Sequence, residues 1–272
     1  MLNIGGVPEH FNFPWHQAKP KFEQSGIPIH WHDYSTGTGA MVQDLNTGKL
    51  DFAVILTEGW VKAVHQGIDL QLLGFYVDSP LLWGAHQTVP MPKIPSSPVF
   101  AISRYGSGSH LMAYLYANQK GLSLTGESFK VVNNMPGAET ALLNGEADIF
   151  LWEKFTTYPL VKKGTLFCND ILPTPWPCFV IVAREGVDGQ AARKLLEVIY
   201  QQNKEIDKGD HLAEQIASSY QLESGQVMEW LNTVEWSIQP GLDESIFEEI
   251  QDTFLSLKVI DENKSLNPYF FE

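Results

Sequence analysis

The feature that most constrains this chain is a segment that occurs twice. Residues 45 to 58 read Leu-Asn-Thr-Gly-Lys-Leu-Asp-Phe-Ala-Val-Ile-Leu-Thr-Glu. Residues 143 to 153 read Leu-Asn-Gly-Glu-Ala-Asp-Ile-Phe-Leu-Trp-Glu. Each runs from a helix end through a glycine to an aspartate, then an apolar run, then a glutamate. A repeat of this kind marks a supersecondary unit used more than once. Gly48 and Gly145 are expected in the left-handed conformation that closes a helix. Residues 52–56 and 149–152 suit short strands buried on both faces of a parallel sheet. Glu58 and Glu153 are then expected at equivalent places, just past the strands' carboxyl ends.

The matching extends upstream. Strand-like residues 29–34 lead through Ser35, Thr36, Gly37, Thr38 and Gly39 into a helix, as residues 129–134 lead into Met135, Pro136 and Gly137. Pro136 fits a first helical turn. Residues 2–7 pair in the same way with 99–104, each strand leading to a polar turn and a helix. The pattern β-α-β-α-β therefore appears twice. It predicts an α/β chain of two lobes, each a mostly parallel sheet flanked by helices, with a ligand cleft between the lobes. The Pro- and Ser-rich stretch 91–98 is read as one crossing and residues 175–178 as the return, before the strand-like run 179–182. The lobes are then expected as 1–92 with 178–272, and 93–177. Past residue 184 the pattern is helical. One stripe holds Leu195, Leu196 and Ile199, and a second holds Val227, Trp230, Leu231 and Val234. A third holds Ile246, Phe247, Ile250 and Phe254, capped by Asp243. These helices are expected to pack on the first lobe.

Composition narrows the function. The chain has 272 residues, 44% apolar and 12% aromatic, which is ample for packed cores and excludes disorder. Its formal charge of −14 repels phosphate backbones and anionic headgroups, so neither nucleic acid nor a membrane surface is the expected partner. No apolar run approaches the ~18 residues that span a bilayer. Residues 1–7 carry no basic or long apolar leader and read as a core strand. A cytoplasmic location is expected for the chain as it stands, and a periplasmic or lipoprotein one if a leader has been removed. Cys168 and Cys178 fit neither a disulfide scaffold nor a zinc pattern.

This arrangement resembles the type II solute-binding proteins, among them the nitrate-, sulfonate- and taurine-binding proteins and relatives built like the thiamine-pyrimidine synthase. The resemblance covers nearly the whole chain. It rests on the two repeated Asp-strand-Glu segments, the Ser-Gly-Ser turn at 107–109 and the Pro-Thr-Pro-Trp-Pro-Cys run at 173–178. It is greatest to a small bacterial and fungal subfamily of unassigned ligand that includes a Candida protein. The cysteine-rich motif of the pyrimidine synthase has no counterpart here, which counts against that activity.

In open α/β sheets, ligands sit outside the carboxyl ends of the strands. That rule selects Glu9, His10, Thr36, Gly37, Thr38, Gly39, Thr57 and Glu58 in the first lobe. In the second it selects Arg104, Tyr105, Gly106, Ser107, Gly108, Ser109, Pro136, Gly137, Trp152 and Glu153, with Trp176 on the return crossing. The Ser35–Gly39 and Gly106–Ser109 turns present hydroxyls and amides at helix starts, either as an anion grip or as ordinary caps. Neither is a nucleotide phosphate loop. Glu58 and Glu153 either accept from a ligand amine or hydroxyl, or cap and pair locally. Arg104 clamps an anion or forms a structural ion pair. Trp152 and Trp176 are the expected aromatic contacts, whereas Trp15 and Trp60 read as core. His10 and His110 follow the first strand of each lobe as candidate donors. His30 and His32 share a strand face, but no third ligand accompanies them, so no metal and no cofactor are expected.

Three functions remain open. The first is a monomeric binder that closes two lobes on a small polar or anionic metabolite, possessing sulfonate, amine or heterocyclic groups. Such a binder would be served by an ABC permease if the chain is exported. The others are a cytoplasmic enzyme of small-metabolite, thiamine-pyrimidine-like chemistry and a ligand sensor. No nucleophile–base pair stands out, so no catalytic residue is assigned.

Overall fold

A computed structural model describes residues 1–90 and 94–271. Short apolar runs bounded by turns form strands, and longer amphipathic runs form helices. The first half carries β1 (Leu2–Gly6), α1 (Phe13–Gln24), β2 (Ile29–Asp33), α2 (Thr38–Asn46), β3 (Phe52–Leu56), α3 (Thr57–His65), β4 (Leu70–Val77) and β5 (Leu82–Gln87). Then come β6 (Phe100–Ile102), α4 (Gly108–Gln119), β7 (Phe129–Val131), α5 (Met135–Leu143), β8 (Ile149–Glu153), α6 (Tyr158–Lys162), β9 (Phe167–Pro173) and β10 (Phe179–Arg184). The last stretch carries α7 (Gly189–Lys204), α8 (Asp210–Tyr220), α9 (Ser224–Leu231) and α10 (Glu244–Ser256).

The chain divides into two compact units. Unit 1 is Met1–Pro80 with Trp176–Glu272, and unit 2 is Leu81–Pro175. Each holds one five-stranded sheet. The orders are β2-β1-β3-β10-β4 and β7-β6-β8-β5-β9. The two sheets repeat one topology. β1 is parallel to β2 and β3, as β6 is to β7 and β8. One antiparallel strand then enters each sheet: β10 between β3 and β4, and β5 between β8 and β9. The sheets are thus mixed, with four strands of five pointing one way.

The first passage between units falls at Pro80/Leu81, ahead of the 91–98 stretch chosen from sequence. The physical reason is that Leu82–Gln87 pairs with β8 and β9, so it belongs to the second sheet. Residues 91–93 of that stretch lie outside the described residues. The return falls at Pro175/Trp176.

The repeated segment has a structural cause. Gly48 and Gly145 take φ of +74° and +70°, turning the chain after α2 and α5. Asp51 and Asp148 then latch the start of the neighbouring parallel strand. The Asp51 carboxylate accepts from the Asn3 amide at 2.9 Å, and Asp148 accepts from the Val99 amide at 2.8 Å. Each aspartate's own amide donates back, to the Asn3 and Val99 carbonyls. Asp51 also holds Arg184 at 3.0 Å. Burial follows at once, with Phe52, Ala53, Val54 and Ile55 fully covered in β3 and Ile149, Phe150 and Leu151 in β8. Apolar burial of this kind is worth roughly 25 cal/mol per Å².

Unit 1 has the more aromatic interior. Trp15 stacks on Phe22 with centroids 5.7 Å apart, and Trp60 lies edge-on to Phe247 at 5.1 Å. Both indoles are fully buried. The C-terminal helices belong to this unit. They are not continuous: residues between α9 and α10 return to the sheet, where Trp236 bridges Val77, and Phe270 bridges Leu72 after α10. One core cluster of unit 2 joins Ala101, Val132, Ala138, Ala141, Leu142, Ala147, Phe150 and Leu166. No described helix is long and apolar enough to cross a membrane.

Candidate functional site

In unit 1 the parallel strands deliver α2 and α3 to the carboxyl end of β3. The Thr38 hydroxyl accepts from the Leu56 amide at 3.3 Å, joining the start of α2 to the end of β3. Gly59 makes this approach possible, because a Cβ there would lie 2.5 Å from the Thr38 methyl. Gly37, at φ +77°, precedes α2 as its cap, without a side-chain bond. Thr36 is exposed, and Gly39 is half-buried on the first turn.

Thr57 is fully buried, and its hydroxyl donates to the Pro177 carbonyl at 2.5 Å, so it fastens β3 to the returning chain. Glu58 stands beside it in the first turn of α3 and is 3% exposed. One carboxylate oxygen accepts from the Trp176 indole at 2.9 Å. The other, Oε1, is buried without a protein partner. Burial pushes the Glu58 carboxyl up to about 7, against the pull of its own amide and the Trp176 N–H. Near neutral pH it is therefore poised between acid and carboxylate. Trp176 is 1% exposed, with its indole N–H on Glu58.

The loop after β1 holds Glu9, half-buried, and His10, 2% exposed. The His10 ring packs edge-on against Trp230 at 4.2 Å and stacks on Phe11 at 4.9 Å. Burial lowers its imidazole to about 3, so it is neutral and packed.

In unit 2 the ends of β6 and β7, which lead into α4 and α5, are bonded to each other. The Val132 and Asn133 amides donate to the Ile102 and Ser103 carbonyls. Ser107 caps α4 by accepting from the His110 amide, and its hydroxyl lies 3.1 Å from that of Ser109. The Ser109 hydroxyl also accepts from the Ser103 amide at 3.0 Å. Both serines are buried, and their hydroxyls hold the turn together. Gly106 takes φ +75° and donates its amide to the His110 ring. Gly108 opens α4. Arg104 is half-buried at the turn's start, where desolvation lowers its guanidinium from the ordinary value. Tyr105 is 60% exposed and meets His110 edge-on. Pro136 occupies the first turn of α5, and Asn134 caps it through the Gly137 amide at 2.9 Å. Gly137 is required there, since a Cβ would lie 2.1 Å from the Val132 carbonyl. Trp152 is half-buried and stacks on Phe150.

Of the two roles open to Glu153, ligand acceptor or local cap, its hydrogen bonds are those of the cap. Its Oε1 accepts from the Phe155 amide at 3.1 Å, and Oε2 accepts from the Thr156 amide at 2.6 Å and hydroxyl at 2.7 Å. Burial raises its pKa, and these donors pull it back. Both oxygens are spent on the turn after β8. Nor is Glu153 equivalent to Glu58. Phe52 and Ile149 hold the same register on their neighbours, so Glu153, the last residue of β8, matches Leu56. Glu58 lies two residues further on, inside the helix. The offset is already in the sequence, where Glu58 follows Asp51 by seven residues and Glu153 follows Asp148 by five.

His30 and His32 lie with ring centroids 4.2 Å apart, and His32 bonds the Asn3 side chain. Among the described residues no cluster of three or more His, Cys, Asp or Glu side chains is placed to hold a metal ion. Sequence reasoning missed β4, β5 and β9, whose runs lack a repeated signature. It also missed Asn134 as the cap of α5, although an Asn before Met-Pro is a usable signal.

Residues 87–166 match the family model described as Ca3427-like PBP. No curated protein matches the chain. Among solved structures, the chain is similar to the conserved Candida albicans CA3427 gene product, described as having the generic periplasmic binding protein fold. The TM-score is 0.91 at 24% identity, over 99% of this chain and 95% of that one. It is also similar to the alkanesulfonate-binding protein SsuA from Xanthomonas axonopodis pv. citri bound to MOPS, with TM-score 0.77 and 14% identity over 99% and 97% of the chains. A third is PhnD1 from Prochlorococcus marinus in complex with methylphosphonate, with TM-score 0.64 and 13% identity over 95% and 98%. The architecture is that of a periplasmic binding protein.

Proposed function

We propose that this chain, built on the periplasmic-binding-protein fold, binds a small polar or anionic metabolite by closing its two units on it. The observation that carries the reading is Glu58: a buried carboxyl group with one oxygen unpartnered, at the carboxyl end of the parallel strands. A buried polar atom left without a partner costs about 1–3 kcal/mol, and a ligand donor or acceptor would recover it. Unit 2 supplies the complementary chemistry. The chain leaving β6 through Arg104 toward α4 is bonded to the chain leaving β7 toward α5, and helix starts favour negative charge. Thr36, Thr38, Tyr105 and Trp152 complete the proposed contacts. The named ligands of two similar structures, MOPS and methylphosphonate, each carry a tetrahedral anionic group on a small body.

The test is a thermal-shift panel of small sulfonates, phosphonates and carboxylates, followed by calorimetry and small-angle scattering. At least one compound should raise the melting temperature, bind at a 1:1 ratio, contract the particle and remain chemically unchanged. For that compound, Arg104→Met should weaken binding by about 10- to 100-fold, the worth of a charge-assisted contact. A panel in which no anion binds, or one in which the ligand is consumed, overturns the reading. If the chain is exported, the partner would be the permease of an ABC importer, and recovery of the natural protein only from cytosol would remove that role.

A further inference from the structure

The sheet of unit 1 ends on β2, which pairs on one side only, with β1. Side chains alternate across a strand, so His30 and His32 share the face opposite to Trp31 and Asp33. Their ring centroids are 4.2 Å apart, with the planes tilted by 52°. His30 is exposed and His32 half-buried. His32 leans back along the strand toward Asn3, the register partner of His30 and the second residue of β1. The two rings therefore meet beside the strand bodies, apart from the loops at their carboxyl ends where the metabolite contacts are proposed.

The bond to Asn3 sets the chemistry of the pair. The His32 Nε2 lies 3.0 Å from the Asn3 side-chain carbonyl, which only accepts, so Nε2 carries the proton and donates. In the neutral ring Nδ1 is then a lone pair. An imidazole oriented by a carbonyl on one nitrogen, with its other nitrogen a lone pair, is arranged as metal-binding histidines are. Desolvation and the neighbouring His30 lower the His32 pKa more than Asp44 raises it, so the ring is neutral at neutral pH. Asp44 does not bond it: one oxygen of that carboxylate takes the Tyr34 hydroxyl at 2.6 Å and the other takes Lys49 at 2.9 Å. An ion pair therefore does not explain why two histidines face each other. Two protonated rings at this spacing would repel, and two neutral rings offer lone pairs with no shared donor. A metal cation between them satisfies both at once. Imidazole suits Zn²⁺, Ni²⁺ and above all Cu²⁺, whereas Mg²⁺ and Ca²⁺ demand oxygen ligands. The net charge of −14 adds a general attraction for cations.

We propose that His30 and His32 form a two-imidazole chelate on the edge strand of unit 1 that binds a late first-row divalent cation, Cu²⁺ most tightly. Water fills the coordination positions that the protein does not, so the cation is exchangeable, and Asn3 is the positioning residue. The experiment is calorimetric titration of the full chain with Cu²⁺ in a non-coordinating buffer, with Mg²⁺ as control, together with histidine-ring NMR during addition of Zn²⁺. Cu²⁺ should bind saturably and Mg²⁺ should not. Zn²⁺ should move the ring signals of His30 and His32 before those of the other histidines, a readout that needs no variant. His30→Gln and His32→Gln should each weaken Cu²⁺ binding at least about tenfold, and Asn3→Ala about tenfold. Asn3→Asp, which restores an acceptor for Nε2, should bind at least as tightly as the parent. The proposal is overturned if Cu²⁺ does not bind saturably, if the chain carrying both histidine substitutions binds it as tightly as the parent, or if Zn²⁺ moves other histidines first. Arg104→Met should leave Cu²⁺ binding unchanged, so failure here and failure of the metabolite reading are read separately.

Discussion

Units 1 and 2 share a sheet order, a glycine turn and an aspartate latch, yet they treat their glutamates in opposite ways. Glu153 ends β8 and spends both oxygens on the Phe155 and Thr156 turn. Glu58 sits two register positions later, buried in a helix start, with Trp176 on one oxygen and no protein partner on the other. A carboxylate saturated by local donors is part of the fold. One that is buried and half-satisfied is a strain that the fold carries, and such groups gather at functional sites.

The sharpest way to break this contrast is the same substitution in each unit. The folded pKa of Glu58 is raised from 4.5 to about 7. The native state therefore holds this proton more tightly than the unfolded chain. Its contribution to stability is fully present below about pH 4.5 and is lost as pH rises through about 7. Glu58→Gln should match the parent at the acid end of that window and exceed it by about 3 kcal/mol above it. Urea denaturation across the range reads the difference, and parallel profiles would mean that Glu58 is not strained.

The aspartate latches come next. Asp51→Ala removes the acceptor of Asn3 and the partner of Arg184, and should cost about 2–3 kcal/mol. Asp148→Ala removes only the acceptor of Val99 and should cost about 1–2 kcal/mol. Equal losses would show that the Arg184 pair adds nothing. The smallest effect is expected for Glu153→Gln, which replaces one accepting oxygen by an amide facing donors, and should destabilise by about 1 kcal/mol near neutral pH. A stabilising Glu153→Gln would erase the distinction between the two units.

Much of the fold was legible in the order of residues. Gly48 and Gly145 closed helices, Asp51 and Asp148 opened buried strands, and Pro136 and Asp243 marked helix starts, because these are local requirements of backbone conformation and capping. β4 and β5 were not legible. That β4 joins the first sheet and β5 the second depends on pairing with β10 and β8, which lie far along the chain, and no local preference records it. Among the candidate residues, Ser107 and Ser109 bond within their own turn, and Trp176 donates to Glu58. Hydroxyls and indoles at helix starts look alike in sequence whether they face a ligand or each other.

The chain's residues by themselves determined a duplicated α/β plan, an acidic surface and the places where helix starts meet strand ends, since periodicity, turn chemistry and charge act over a few residues. Only the tertiary structure decided which sheet each strand joined and which oxygens of Glu58 and Glu153 found donors. Those outcomes depend on partners brought together from distant segments, and burial, which sets the strain on Glu58, exists only once those segments have packed.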